Sequence, residues 1–276
     1  MIEGQFAAVA AVRAARSSIE EAVNAMEARL VEGGRLIYAG AGTSGRLAVQ
    51  DGAELMPTFS WPRERLLLFI AGGTEALIHA VEGAEDQTEH ALALIKKHKV
   101  GAADVLIAAA ASGTTPFTLA CLRGATRAGA LTVGIANNRL TPLLKESDHP
   151  ILLETGSEPI AGSTRMKAGT AQRITLNLLS SLLMIRLGRV YEGLMVDVQA
   201  TNKKLAKRSE NMLIHLTGRS GKEVRNALAR AEGSVKLAVL LLHGCRLEEA
   251  KALLDRSGGR LRVALTELQE SRIQPD

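Results

Sequence analysis

Hydroxyl side chains beside glycines recur at three places in this chain: Gly40-Ala-Gly-Thr-Ser-Gly-Arg46, Ala111-Ser-Gly-Thr-Thr-Pro116 and Gly162-Ser-Thr-Arg-Met-Lys-Ala-Gly169. Glycine lets a backbone approach a ligand closely, and Ser and Thr add hydroxyl donors. A helix start adds free N–H groups at the positive end of its dipole. Each loop runs into a helix-like stretch, and the first two directly follow a short apolar run. In the second loop, Thr115 followed by Pro116 reads as an N-cap with proline at the first helical position. Ser112, Gly113, Thr114 and Thr115 could then surround a phosphoryl group, with Gly42, Thr43 and Ser44 nearer the rest of the ligand. In the third loop, Ser163 and Thr164 are joined by Arg165 and Lys167, read as lying in the first turn of a helix. Positive charge there opposes the dipole, which points to an anion or to a carboxylate such as Glu154 or Glu158. Simple capping would explain any one of these loops; three together point to a phosphorylated small molecule.

The elements that must position these loops alternate along the chain. Residues 5–31 carry apolar positions at helical period and stop at Gly33-Gly34. Short apolar runs of strand type follow at 36–39, 66–71, 105–110, 131–136 and 151–153, with helical segments at roughly 44–55, 74–96, 115–128 and 164–187 between or after them. Such alternation predicts a three-layer αβα sandwich on a parallel sheet of about five strands. Ligands bind such sheets at the carboxyl ends of the strands, where the first two loops lie. Beyond Gly193 a helical stretch at 195–217 leads into short amphipathic helices broken by glycines. The expected division is an α/β domain carrying the three loops over 1–208 and a small all-helical domain over 209–276.

Composition narrows the classes. With 276 residues, 46% hydrophobic and 23% charged, the chain has the balance of a soluble protein. An aromatic share of 3% argues against base stacking and so against single-stranded nucleic acid. The formal charge of +5 suits an anionic ligand. Its densest basic cluster, Lys203-Lys204 with Lys207-Arg208, reads as a solvated helix face. Cys121 and Cys245 sit in apolar contexts without CxxC spacing, as expected of reduced thiols in the cytoplasm. No secretory signal follows Met1, and the apolar stretch near 174–187 is short for a bilayer, so no membrane partner is expected. His79, His90, His98, His149, His215 and His243 show no ligand spacing, and neither a metal nor another cofactor is expected.

Four strings carry a resemblance. Gly34-Arg-Leu-Ile-Tyr-Ala-Gly-Ala-Gly-Thr-Ser-Gly-Arg-Leu47, Ala80-Val-Glu-Gly-Ala-Glu-Asp86, Gly162-Ser-Thr-Arg-Met-Lys-Ala-Gly-Thr-Ala-Gln172 and Met195-Val-Asp-Val-Gln-Ala-Thr-Asn202 look like signatures of the N-acetylmuramic acid 6-phosphate etherases, within the sugar isomerase (SIS) domain family. The resemblance covers nearly the whole chain and implies the SIS fold, a phosphosugar substrate and a homodimer. It also implies further sequence ahead of the helix near Gln5. The reaction it implies removes a D-lactyl ether by β-elimination followed by addition of water, which needs a base at C2 and an acid for the departing lactate. The resemblance assigns the acid to Glu54 and the base to Glu85. By composition alone either would read as a surface residue, with Asp51, Glu82 and Asp86 close by. An unbroken helix from Ser44 would carry Glu54 about 15 Å from its start. A break near Gly52, or a site shared between two subunits, would resolve that distance. Other readings of the same loops are a non-catalytic sugar-phosphate sensor and an aldose–ketose isomerase.

Overall fold

The computed structural model describes residues 1–198 and 203–273. Five parallel strands, β1 (Leu36–Gly40), β2 (Leu66–Ile70), β3 (Val105–Ala109), β4 (Leu131–Ala136) and β5 (His149–Leu152), form one sheet in the order β2-β1-β3-β4-β5. Continuous apolar sequence makes β1 and β3 suited to burial on both faces, and every residue of each is buried. Alternation along β1 then splits the two layers of helices. Ile37 and Ala39 enter a core with α4 (Thr88–Lys97) and α5 (Pro116–Arg127), through Ala91, Phe117 and Leu122. Tyr38 points to the other face, where it reaches α3 (Gly42–Phe59) and α7 (Lys167–Arg186) through Asp51 and Ser180. The sandwich is three-layered, as its alternating pattern predicts.

Several local expectations give way. The stretch 5–31 is two helices, α1 (Ile2–Ala14) and α2 (Arg16–Val31), joined at Ala15 with φ −82° and ψ 5°. The segment predicted as helix from 74 is not helical until Thr88. It consists of two single 3-10 turns, Gly73–Leu77 and Ala84–Asp86, with Gly72, Gly73 and Gly83 at φ +80°, +65° and +68°. Only Ala76 and Ala84 between 72 and 87 are buried, so no apolar stripe exists there to hold a helix against the sheet. A short helix, α6 (Pro142–Glu146), stands where none is predicted.

The chain forms two compact units, one of Met1–Glu54 with Pro62–Leu183, the other of Leu55–Trp61 with Met184 onward. The second contains α8 (Lys203–Thr217), α9 (Gly221–Arg230), α10 (Val235–Leu242), α11 (Leu247–Arg256) and α12 (Leu261–Ile273). Its core gathers Leu213, Val224, Leu240, Ala250 and Ala264. A capping box between Ser220 and Glu223 starts α9. The stretch predicted as helix from 195 is helical only from Lys203 among the described residues. Residues 199–202 of the fourth signature string lie outside them. Asp197 of that string holds the buried Lys236 ammonium at 2.7 Å, and Lys236 also donates to Gly259 O at 2.7 Å. No helix among the described residues is long and apolar enough to cross a membrane.

Candidate active site

The first two loops leave adjacent strands at their carboxyl ends, where Gly40 of β1 pairs in register with Ala109 of β3. In the second loop, Gly113 takes φ +68°, and a Cβ there would lie 2.3 Å from Thr141 Oγ1. Only glycine fits that turn. The Ser112 hydroxyl accepts from the Thr114 N–H at 3.2 Å and lies 3.4 Å from Thr115 Oγ1. Thr115 is the N-cap of α5, as predicted, and Pro116 follows at the first helical position. Its hydroxyl accepts no helix N–H, however, so it stays available to a ligand. Ser112 and Thr114 are exposed and Thr115 half-buried, a turn of three hydroxyls beside a helix start.

The third loop lies against the first. A Cβ on Gly169 would stand 3.5 Å from Thr43 Cγ2 and 3.8 Å from Leu47 Cδ1. Gly42 is exposed, Thr43 and Ser163 are half-buried, Thr164 and Arg165 are exposed, and Ser44 is buried in the first turn of α3. Arg165 and Lys167 do not both occupy a helical first turn, because α7 begins at Lys167. The free N–H groups at that start are already met by a carboxylate: Glu158 accepts from Lys167 N at 3.0 Å and Ala168 N at 2.9 Å. An internal anion therefore stabilises the dipole end, and an incoming phosphoryl group does not need to. Glu154 pairs instead with Arg139. The Lys167 side chain runs beside Gly4 and Gly156.

Behind the loops lies a polar network of which the sequence motifs mark only Gln172. Asn137 N donates to Ala111 O at 3.0 Å and its Nδ2 to Leu153 O at 2.9 Å. Gln172 Nε2 donates to Asn137 Oδ1 at 2.9 Å, and Asn138 Nδ2 to Ala111 O at 2.9 Å. The second and third loops are thus tied together from β4. The available signal was the amide pair Asn137-Asn138 directly after an apolar strand, at the sheet edge where ligands bind.

Residues 17–126 match the glucokinase regulatory protein N-terminal SIS domain family. Over 268 residues, 97% of this chain and 88% of the relative's length, the chain is 51% identical to an N-acetylmuramic acid 6-phosphate etherase of Deinococcus radiodurans. The chain belongs to the N-acetylmuramic acid 6-phosphate etherase family. Relatives of the same name from Halalkalibacterium halodurans (45% identical, 91% of this chain and 83% of the relative) and Streptomyces avermitilis (44%, 96% and 86%) agree. It is a sugar-phosphate etherase.

Against that etherase identity, the two candidate carboxylates stand very differently. Glu85 is exposed on the second 3-10 turn, and its neighbour Ala84 is buried in the same apolar cluster as Phe117 of α5. Glu85 therefore stands close to the helix whose start carries Ser112–Thr115. Glu54 is exposed far along α3, which runs without a break through Gly52. Gly52 serves close packing instead, since a Cβ there would meet Leu68 Cδ2 at 2.6 Å and Tyr38 Cδ2 at 3.3 Å. Ten residues of continuous helix separate Ser44 from Glu54, about 15 Å at the usual rise. The Glu85 turn thus packs in the same apolar cluster as α5, whereas Glu54 stands about 15 Å along α3 from Ser44.

Asp51, named in the sequence only as a neighbour of Glu54, has a defined structural place. Asp51 is buried and accepts from Tyr38 Oη at 2.8 Å and Ser180 Oγ at 3.2 Å. Burial raises its pKa, against the opposing effect of those hydroxyls. The histidines near Glu85 have plain environments: His79 faces Glu75 at 3.6 Å on the surface, and His90 packs against the Phe117 ring at 6.0 Å.

Proposed function

We propose that this chain is a carbon–oxygen lyase that removes the D-lactyl group of N-acetylmuramic acid 6-phosphate, yielding N-acetylglucosamine 6-phosphate and D-lactate. Ser112, Gly113, Thr114 and Thr115 hold the phosphoryl group through hydroxyls and the α5 start. Gly42, Thr43 and Ser44, with Ser163, Thr164 and Arg165, face the sugar, and Lys167 adds positive charge at the rim. In the open-chain aldehyde, the C1 carbonyl acidifies the C2 proton. Glu85 takes that proton, the C3–O bond breaks, and Glu54 protonates the departing lactate oxygen. Glu85 gives up the C2 proton to solvent, then takes a proton from the water that adds at C3 of the unsaturated aldehyde and passes it to C2, while solvent reprotonates Glu54.

The observation that carries this reading is the packing of the Glu85 turn beside the helix that starts at the hydroxyl turn. The unbroken α3 adds a condition: the acid comes from a second copy of the chain, and the enzyme works as a homodimer. Cys121 and Cys245 are buried and form no disulfide, which fits a reducing, cytoplasmic setting.

A complementation experiment tests both parts. Glu54→Gln and Glu85→Gln should each release no D-lactate, and Glu85→Gln should lose exchange of the C2 hydrogen with solvent deuterium while still binding the phosphosugar. Unfolding and refolding the two variants together should restore about a quarter of wild-type activity, because half of the dimers are mixed and each mixed dimer holds one intact site. A mixture that stays inactive would refute the shared site, and retained C2 exchange in Glu85→Gln would remove Glu85 from the base role.

A further inference from the structure

The segment that carries Glu85 is thinly anchored. Between residues 72 and 87 it joins no strand ladder, and only Ala76 and Ala84 are buried. Ile78 is 80% exposed at its tip. Positive-φ glycines at 72, 73 and 83 flank and interrupt it. Two buried methyl groups bury too little apolar surface to fix a carboxylate to within a fraction of an ångström.

A polar tie makes up the difference. Arg46, the fifth residue of α3, donates from Nε to Ala76 O at 2.8 Å and from Nη2 to His79 O at 3.1 Å. A planar guanidinium that spans two carbonyls fixes direction as well as distance, which a lysine ammonium cannot do. Its helix is itself seated closely on β1, since a Cβ on Gly45 would lie 2.7 Å from Gly40 O.

We propose that Arg46 is a positioning residue for proton transfer: it clamps the 76–79 turn to the first hydroxyl loop and so holds Glu85 against the ligand's C2. This rests on Glu85 being the C2 base. Arg46 acts through the turn and does not touch the phosphoryl group.

The test compares Arg46→Lys and Arg46→Ala with Glu85→Gln and the double variant Arg46→Lys/Glu85→Gln, using N-acetylmuramic acid 6-phosphate. In Arg46→Lys, kcat and the rate of C2 exchange should fall about 10- to 100-fold, the loss typical of a misplaced catalytic group, while KM moves by less than about threefold. Amide hydrogen exchange across 76–86 should speed up, and methylguanidine should restore part of the kcat of Arg46→Ala. Residual exchange in the double variant should equal that of Glu85→Gln alone, because Arg46 has no second route to the chemistry. A raised KM at unchanged kcat would make Arg46 a substrate contact and overturn the proposal, as would wild-type kcat in Arg46→Lys. A double variant slower than Glu85→Gln would also overturn it. If Glu85→Gln itself keeps C2 exchange, the base assignment fails and takes this proposal with it, an outcome read separately from the Arg46 arms. Should Arg46→Ala fail to fold, Arg46→Lys carries the decision.

Discussion

The Ser112 hydroxyl is oriented before any ligand arrives, because the Thr114 N–H donates to it and the Thr115 hydroxyl lies within reach. Preorganised donors spend little ordering entropy on binding. Ser112→Ala should therefore weaken binding of the phosphosugar by roughly 1–3 kcal/mol, the loss for an unpaired polar partner. Isothermal titration with phosphorylated and unphosphorylated sugars checks this; equal losses for both would remove Ser112 from the phosphate. At this scale the sequence was legible in residue type and less so in pairing. The hydroxyl turns announce themselves through glycine and proline. The third loop pointed to Glu154 or Glu158 as an internal anion, but not that Glu158 is the one that reaches the N–H groups of Lys167 and Ala168, because a loop of that length can place a carboxylate anywhere. Cys121 is inert for a related reason: burial pushes its thiol far above the usual range, leaving no thiolate to react.

Among elements, Asp51 joins three that share one face of the sheet: β1 through Tyr38, its own helix α3, and α7 through Ser180. Asp51→Ala would leave the Tyr38 hydroxyl buried without an acceptor, while Ser180 keeps the Asn177 carbonyl, and should lower stability by roughly 1–3 kcal/mol. Asp51→Asn keeps one acceptor and should lose less. The sign of the pH effect follows from burial. The folded state holds the Asp51 proton more tightly than the unfolded chain, so this group's contribution falls as pH rises from about 4 through the raised value. Melting curves from pH 4 to 8 should be flatter in Asp51→Asn than in the wild type; an unchanged slope would mean Asp51 does not titrate against folding. Strands and long helices were readable because their apolar period is unbroken. The 74–96 segment was misread because Leu77, Ile78 and Val81 imitate a helical stripe although they face solvent.

Across the α/β unit, the two edges of the sheet have separate duties. The hydroxyl loops and Glu85 lie at the carboxyl edge, whereas Arg35 and Asp104, just before β1 and β3, lie at the amino edge. Arg35 donates to Asp104 from Nε at 2.9 Å and Nη2 at 2.7 Å, and to the carbonyls of His98 and Lys99. Burial would raise the Asp104 pKa, but the Arg35 hydrogen bonds and the Gly101 N–H outweigh it and hold the carboxyl below its usual range. Its stabilising effect is complete above about pH 4 and disappears as acid titrates the folded carboxylate. Asp104→Asn should thus cost about 2 kcal/mol at pH 7, less near pH 3, with kcat unchanged. Denaturant titrations at both pH values check it, and a loss equal at both would rule out the ionised pair as its source. The sandwich was legible from strand and helix alternation alone. The reach of Glu54 was not, since it depends on whether Gly52 breaks α3 or lets it pack against Leu68, and composition is the same either way.

That continuity of α3 has a consequence in solution. If each chain borrows its proton donor from a neighbour, specific activity becomes a function of concentration: below the self-association constant, lactate release per chain drops by mass action, while a solitary chain keeps its grip on the phosphate ester.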